Sequence, residues 1–108
     1  MMHPTSPGGP VTLINVFTVE PVRQQELIEL LVLATDGFVL HAPGFLGSTL
    51  HRSLDGTKVT MVARWRSAED YQAMRAGPQL IRLLEKALSL ARFEPGIYQV
   101  VREFTPAG

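Results

Sequence analysis

The segment Lys58-Val-Thr-Met-Val-Ala-Arg-Trp-Arg-Ser-Ala-Glu-Asp70 constrains the fold more than any other stretch, because its period changes partway along. Side chains on a strand alternate between faces, so Val59, Met61, Ala63 and Trp65 share one face while Lys58, Thr60, Val62 and Arg64 share the other. Ser67 then offers a hydroxyl to the free amides of a helix start, with Asp70 three residues on as the reciprocal partner of a capping box. The only tryptophan therefore sits on an apolar strand face, at a strand-to-helix corner.

The rest of the chain supplies partners for that strand. Val11 to Val19 also alternates, placing Leu13, Asn15 and Phe17 on one face and Thr12, Ile14 and Val16 on the other. Pro21 suits a first helical turn, and Leu27, Leu31, Ala34 and Phe38 follow at helical spacing until Pro43-Gly44 ends the helix. Phe45 to Arg52 and Thr57 to Arg66 flank Asp55-Gly56, a dipeptide that tolerates the positive φ of a hairpin turn. A second helix starts after Ser67, kinks or breaks at Gly77-Pro78, and resumes with Leu80, Leu84, Ala87 and Ala91. Pro95-Gly96 turns the chain into a last strand, Ile97 to Phe104.

The order βαββαβ with right-handed crossovers predicts an α+β, ferredoxin-like fold: an antiparallel sheet with two helices on one face and strands one and three side by side. The other face then carries Ile14, Val16 and Val62. A monomer rarely leaves such a patch in water, so sheet-to-sheet packing into a homodimer is expected.

A chain of 108 residues with 45% hydrophobic content makes one domain, here residues 11–104. It is preceded by a Pro- and Gly-rich stretch, 1–10, read as a flexible tail without the basic region or apolar run of a signal peptide. The longest apolar stretch, Leu30 to Ala34, is far short of the roughly 20 residues a bilayer span needs, so no membrane partner is expected. Ten basic residues balance ten acidic ones and no basic run occurs, which disfavours nucleic acid. The absence of cysteine excludes disulfides, thiolate catalysis and cysteine-ligated metals, and is compatible with a cytoplasmic location.

Few residues stand out for chemistry. Asn15 is an amide among Leu13, Phe17 and Met61, and burying it unpaired costs about 1–3 kcal/mol. Either it bonds a neighbouring backbone group or a water, or it faces a ligand. Trp65 fills space under a helix as a core anchor or lines a pocket, and Phe17 and Met61 share its side of the sheet. Tyr71, one turn into the second helix, either lines that space or lies on the helix surface. His3, His41 and His51 lack metal-site spacing, and His51 with Asp55 across the hairpin is expected to be solvated, so no metal is expected. Without a Gly-rich phosphate loop or a serine elbow, no nucleotide or flavin cofactor is expected.

With Val-Thr-Leu-Ile-Asn-Val-Phe-Thr-Val at 11–19, Ala-Pro-Gly-Phe-Leu at 42–46 and Val-Ala-Arg-Trp-Arg-Ser-Ala-Glu-Asp-Tyr at 62–71, the chain resembles the antibiotic biosynthesis monooxygenase family over residues 11–104. The resemblance implies a dimeric α+β barrel. It also implies oxidation of a polycyclic aromatic, such as an anthrone or hydroquinone, by molecular oxygen without metal or flavin. Asn15 and Trp65 match the strand-one asparagine and strand-three tryptophan placed around substrate in such proteins. A second asparagine four residues before the tryptophan is replaced here by Met61, and the arginine that some relatives bring from helix two has only Leu84 and Glu85 nearby. Haem-degrading relatives use a helix-two histidine, and none occurs between Ala68 and Arg92. A non-catalytic aromatic-binding or regulatory module on the same fold is the alternative function.

Overall fold

Two alternating strands form the centre of the sheet. In the computed structural model, which describes residues 9–107, β1 (Val11–Val19) runs antiparallel to β3 (Lys58–Trp65), with Leu13 opposite Ala63, Asn15 opposite Met61 and Phe17 opposite Val59. The residues of the expected tail before Gly9, His3 among them, lie outside the described residues. β2 (Phe45–Arg52) pairs with the far edge of β3, so β3 is interior and carries the strongest alternation. Three helices, α1 (Gln24–Gly37), α2 (Ala68–Arg75) and α3 (Pro78–Leu90), supply the residues that pack against the sheet. The ferredoxin-like α+β arrangement expected from the sequence is present.

The hairpin and both helix starts are fixed by local hydrogen bonds. Gly56 takes φ +83° in the β2–β3 turn, and one Asp55 carboxylate oxygen accepts from the Thr57 amide at 3.0 Å, the Thr57 hydroxyl at 2.7 Å and the Ser53 hydroxyl at 2.8 Å. The Thr57 backbone bond, reinforced by both hydroxyls, lowers the Asp55 pKa to about 2. Asp55 is thus engaged within its turn, while His51 contacts the Thr49 hydroxyl at 2.9 Å. The buried Gln24 amide donates to the carbonyls of Ser53 and Lys58, tying the start of α1 to this hairpin. Ser67 caps α2 by accepting from the Asp70 amide at 3.1 Å. The Asp70 carboxylate is held by Arg66 at 2.8 Å, which lowers its pKa, so the far half of the expected capping box is an ion pair.

The C-terminal third keeps the break expected at Gly77-Pro78 and departs from expectation in two other ways. The second helix is two helices, because Pro78 has no amide to continue α2 and instead opens α3 as its first residue, behind Gly77. Ala91 does not complete α3 but starts a strand, β4 (Ala91–Glu94), which pairs with Val16–Val19 and stacks Phe93 on Phe17 with centroids 4.7 Å apart. The last strand is only β5 (Ile97–Tyr98), paired with Thr12 and Leu13, rather than Ile97 to Phe104. Its antiparallel partner begins at Val11, just after Pro10, which has no N–H to donate, so the ladder ends where β1 ends.

Candidate active site

Buried side chains between sheet and helices fall into two clusters. Leu13, Ala63, Trp65 and Tyr71 form one, and Phe17, Val19, Leu27, Leu31, Val59 and Ala87 the other. On β1 Leu13 belongs to the first and Phe17 to the second. The residue between them on the same face is Asn15, too small and polar to bridge the gap, and there the packing opens into a narrow cavity of about 80 Å³.

All five residues singled out from the sequence, Asn15, Phe17, Met61, Trp65 and Tyr71, line this one cavity. Asn15 Oδ1 is buried and has no hydrogen-bond partner among the described residues, so of the two expectations for this amide the local backbone bond is not made at its oxygen. Met61 stands directly across the ladder from it. Trp65 is buried, with its ring edge-on to Phe45 at 5.3 Å and to Tyr71 at 5.8 Å, so it serves as core anchor and cavity wall together. Tyr71 is buried as well, not on the helix surface, because α2 turns that position toward the indole.

Sequence reasoning missed three polar contributors: Ser48 on β2, Thr35 on α1 and Arg75 on α2. Thr35 spends its hydroxyl on the Leu31 carbonyl at 2.8 Å. Among the described residues Arg75 is the only charged one lining the cavity; its Nη1 donates to Tyr71 Oη at 3.3 Å, and its guanidinium lies 5.8 Å from the Tyr71 ring centre. The signal was the four-residue spacing from Tyr71 to Arg75, which places both on one helix face once α2 is known to stop before Gly77. Of the two candidates near the expected helix-two arginine, Leu84 lines the cavity and Glu85 is exposed.

The arrangement suits a flat apolar ligand with a few oxygens. Among the described residues its walls are aromatic, aliphatic and thioether, and its polar groups are one amide, one phenol, one indole N–H, two small hydroxyls and one guanidinium. No carboxylate or imidazole among the described residues lines the cavity, so they offer donors and a positive charge to stabilise a developing anion but no strong base.

Comparison with known proteins bears on the family and the fold. The profile of the family described as antibiotic biosynthesis monooxygenase matches residues 10–86. Tetracenomycin-F1 monooxygenase of Streptomyces glaucescens is 41% identical over 93 residues, covering 86% of this chain and 83% of that protein. The monooxygenase from the gene ActVA-Orf6 of Streptomyces coelicolor, solved in complex with nanaomycin D, superposes with a TM-score of 0.80 at 27% identity, covering 98% of this chain and all of that one. A variant of SnoaB, a cofactor-independent oxygenase from Streptomyces nogalater, shares the fold with a TM-score of 0.78 at 23% identity over 90% of this chain and 98% of its own. With a profile match over well over half its length and a 41% identical relative, the chain belongs to the antibiotic biosynthesis monooxygenase family.

Proposed function

We propose that this chain is a cofactor-independent monooxygenase whose cavity binds a phenolic, anthrone-like or hydroquinone-like aromatic and lets the bound molecule react directly with oxygen. It would act as a cytoplasmic homodimer. The single observation that carries the reading is the orphaned Asn15 Oδ1, a buried acceptor on a residue that lines an apolar cavity beside Trp65. Leaving such a group unpaired costs about 1–3 kcal/mol, which a ligand hydroxyl would recover.

The chemistry asks little of the protein. Converting an anthrone methylene to a carbonyl withdraws four electrons from the substrate, which suffices to reduce the second oxygen atom to water. One atom of O2 becomes the new carbonyl, and the other leaves as water with the two methylene hydrogens, so no outside reductant is required. The slow part is forming the enolate-like anion that passes an electron to O2. Here the lining groups have distinct roles: Asn15 and the Tyr71 hydroxyl orient the oxygens, Phe17, Met61 and Trp65 clamp the ring plane, and exclusion of water strengthens each polar contact. With no strong base in the lining, proton loss falls to the most acidic carbon or phenol of the substrate itself.

A second reading is favoured by Met61. A thioether faces Asn15 where a second donor would help an anion form, which would leave a pocket that binds aromatics without turning them over. Oxygen uptake by metal-stripped protein on a panel of anthrones and hydroquinones separates the two. The oxygenase reading predicts uptake that falls about 100- to 1000-fold in Asn15→Ala and also drops in Trp65→Phe. Full activity in both folded variants would place the chemistry elsewhere, whereas binding with no uptake in native protein selects the binding module.

A further inference from the structure

We propose that Arg75 makes this cavity selective for aromatics bearing an anionic oxygen, a carboxylate or an ionised phenol, which its guanidinium holds. The inference rests on the cavity being an aromatic-binding site, as argued above, and goes on to name which aromatics it prefers.

Three observations converge. Among the described residues Arg75 is the only charge in a lining otherwise made of apolar and neutral groups. The ion pairs among the described residues are Arg23 with Glu26 and Arg66 with Asp70, so Arg75 has no carboxylate of its own, and Asp70, on the same helix, is already taken. Its one hydrogen bond is to a neutral phenol oxygen at 3.3 Å, long for a guanidinium donor, which leaves most of its five-donor fork unused. An arginine half-buried against apolar surface without a counter-ion is a poor structural element, but it is a ready anion site. Planar bidentate bonds to a carboxylate, or a charge-assisted bond to the single oxygen of a phenolate, are its strongest contacts, and their strength grows as a bound ring displaces water.

Asn15 completes the recognition. Its bare Oδ1 on β1 asks for a ligand donor, while Arg75 on α2 asks for a ligand acceptor with negative charge. The hydrogen bond from Arg75 occupies a lone pair of Tyr71 Oη and leaves the phenol proton available to the same ligand. A neutral hydrocarbon ring answers none of these groups. A hydroxylated aromatic acid, or a polyphenol with one ionised hydroxyl, answers all of them.

The test is equilibrium binding under nitrogen, read by quenching of Trp65, the sole tryptophan and a wall of the cavity. The probes are anthraquinone-2-carboxylate, its neutral carboxamide, and 2-hydroxyanthraquinone titrated through its own phenol pKa. Native protein is expected to prefer the carboxylate over the carboxamide by about 10- to 100-fold, with Arg75→Gln erasing that preference and Arg75→Lys keeping part of it. If the hydroxyanthraquinone tightens as it ionises, in native but not Arg75→Gln protein, the phenolate is also a ligand; if only the carboxylate discriminates, the substituent acid is the group held. Equal binding of carboxylate and carboxamide, unchanged in Arg75→Gln, overturns the proposal while leaving the aromatic pocket intact. Failure of every probe to quench Trp65 overturns the pocket reading itself and this inference with it.

Discussion

Asn15 and Met61 face each other across the β1–β3 ladder, both lining the cavity, and differ in that only Asn15 can donate a hydrogen bond. If turnover is limited by stabilising a nascent anion, Met61 is where this chain has the most to gain. Removing one such donor from an enzyme typically slows it about 100- to 1000-fold, so adding one by Met61→Asn should raise anthrone oxidation measurably, at a stability cost of about 1 kcal/mol for a half-buried amide. Steady-state oxygen consumption with a matched denaturation curve checks both halves; an Asn variant that folds and oxidises no faster would show that the thioether is not what limits the rate. Asn15, Met61 and Trp65 were legible in the sequence because strand parity alone puts odd-numbered residues of both strands on one face. Arg75 was not, since a helical residue's facing depends on where the helix ends and what it packs against.

At the scale of elements, the site depends on the corner where β3 passes into α2 and the α1–β2 connection crosses it. Gly44 sits there with φ +87°, its carbonyl accepting from the Arg66 amide at 2.8 Å, and a Cβ added to it would collide with the Asp70 carboxylate. Asp70 cannot easily yield, because Arg66 holds it at 2.8 Å. Gly44→Ala should therefore destabilise the fold by about 1–3 kcal/mol from backbone strain, and by more from the collision. A shifted urea midpoint with an unchanged slope is the expected result, with Trp65 emission altered because Phe45, the next residue, packs on its ring. Native stability in that variant would mean that Asp70 swings away freely. Strands and turns of the first two thirds were readable from alternation and from Pro43-Gly44 and Asp55-Gly56. β4 was not, because Leu80, Leu84, Ala87 and Ala91 continue the helical spacing without a break, and only pairing with Val16–Val19 and the Phe93–Phe17 stack pull Ala91 out of the helix.

At the scale of the whole molecule, the open face of the sheet sets the assembly. The protein is only 20 Å through its thinnest dimension against 50 and 39 Å in the others, the thickness of one sheet with one layer of helices. Across the uncovered side, Val62 lies at the centre, opposite Ile14 on β1 and Thr49 on β2, and Val16 follows two residues along β1. Beyond β5 the terminal stretch exposes Val101 at 95% and Phe104 at 82%, the latter with the Arg102 guanidinium over its ring. Apolar surface hidden by a second copy contributes roughly 25 cal/mol per Å² against the about 4–15 kcal/mol that association costs, so a stable pair needs each partner to bury on the order of 800 Å² of this face. We therefore expect a symmetric homodimer, with Val62→Lys converting it to monomers because two lysines near the axis would meet without counter-charges. Light scattering at micromolar concentration is the measurement: native protein should run at about twice 11.9 kDa and Val62→Lys at that single mass. Val62 points away from the cavity, so the lysine variant should still bind aromatics if the site is complete within one chain, and loss of binding together with loss of the dimer would show that the partner copy shapes the pocket. A native protein already monomeric at that concentration would leave the open face without the role assigned to it.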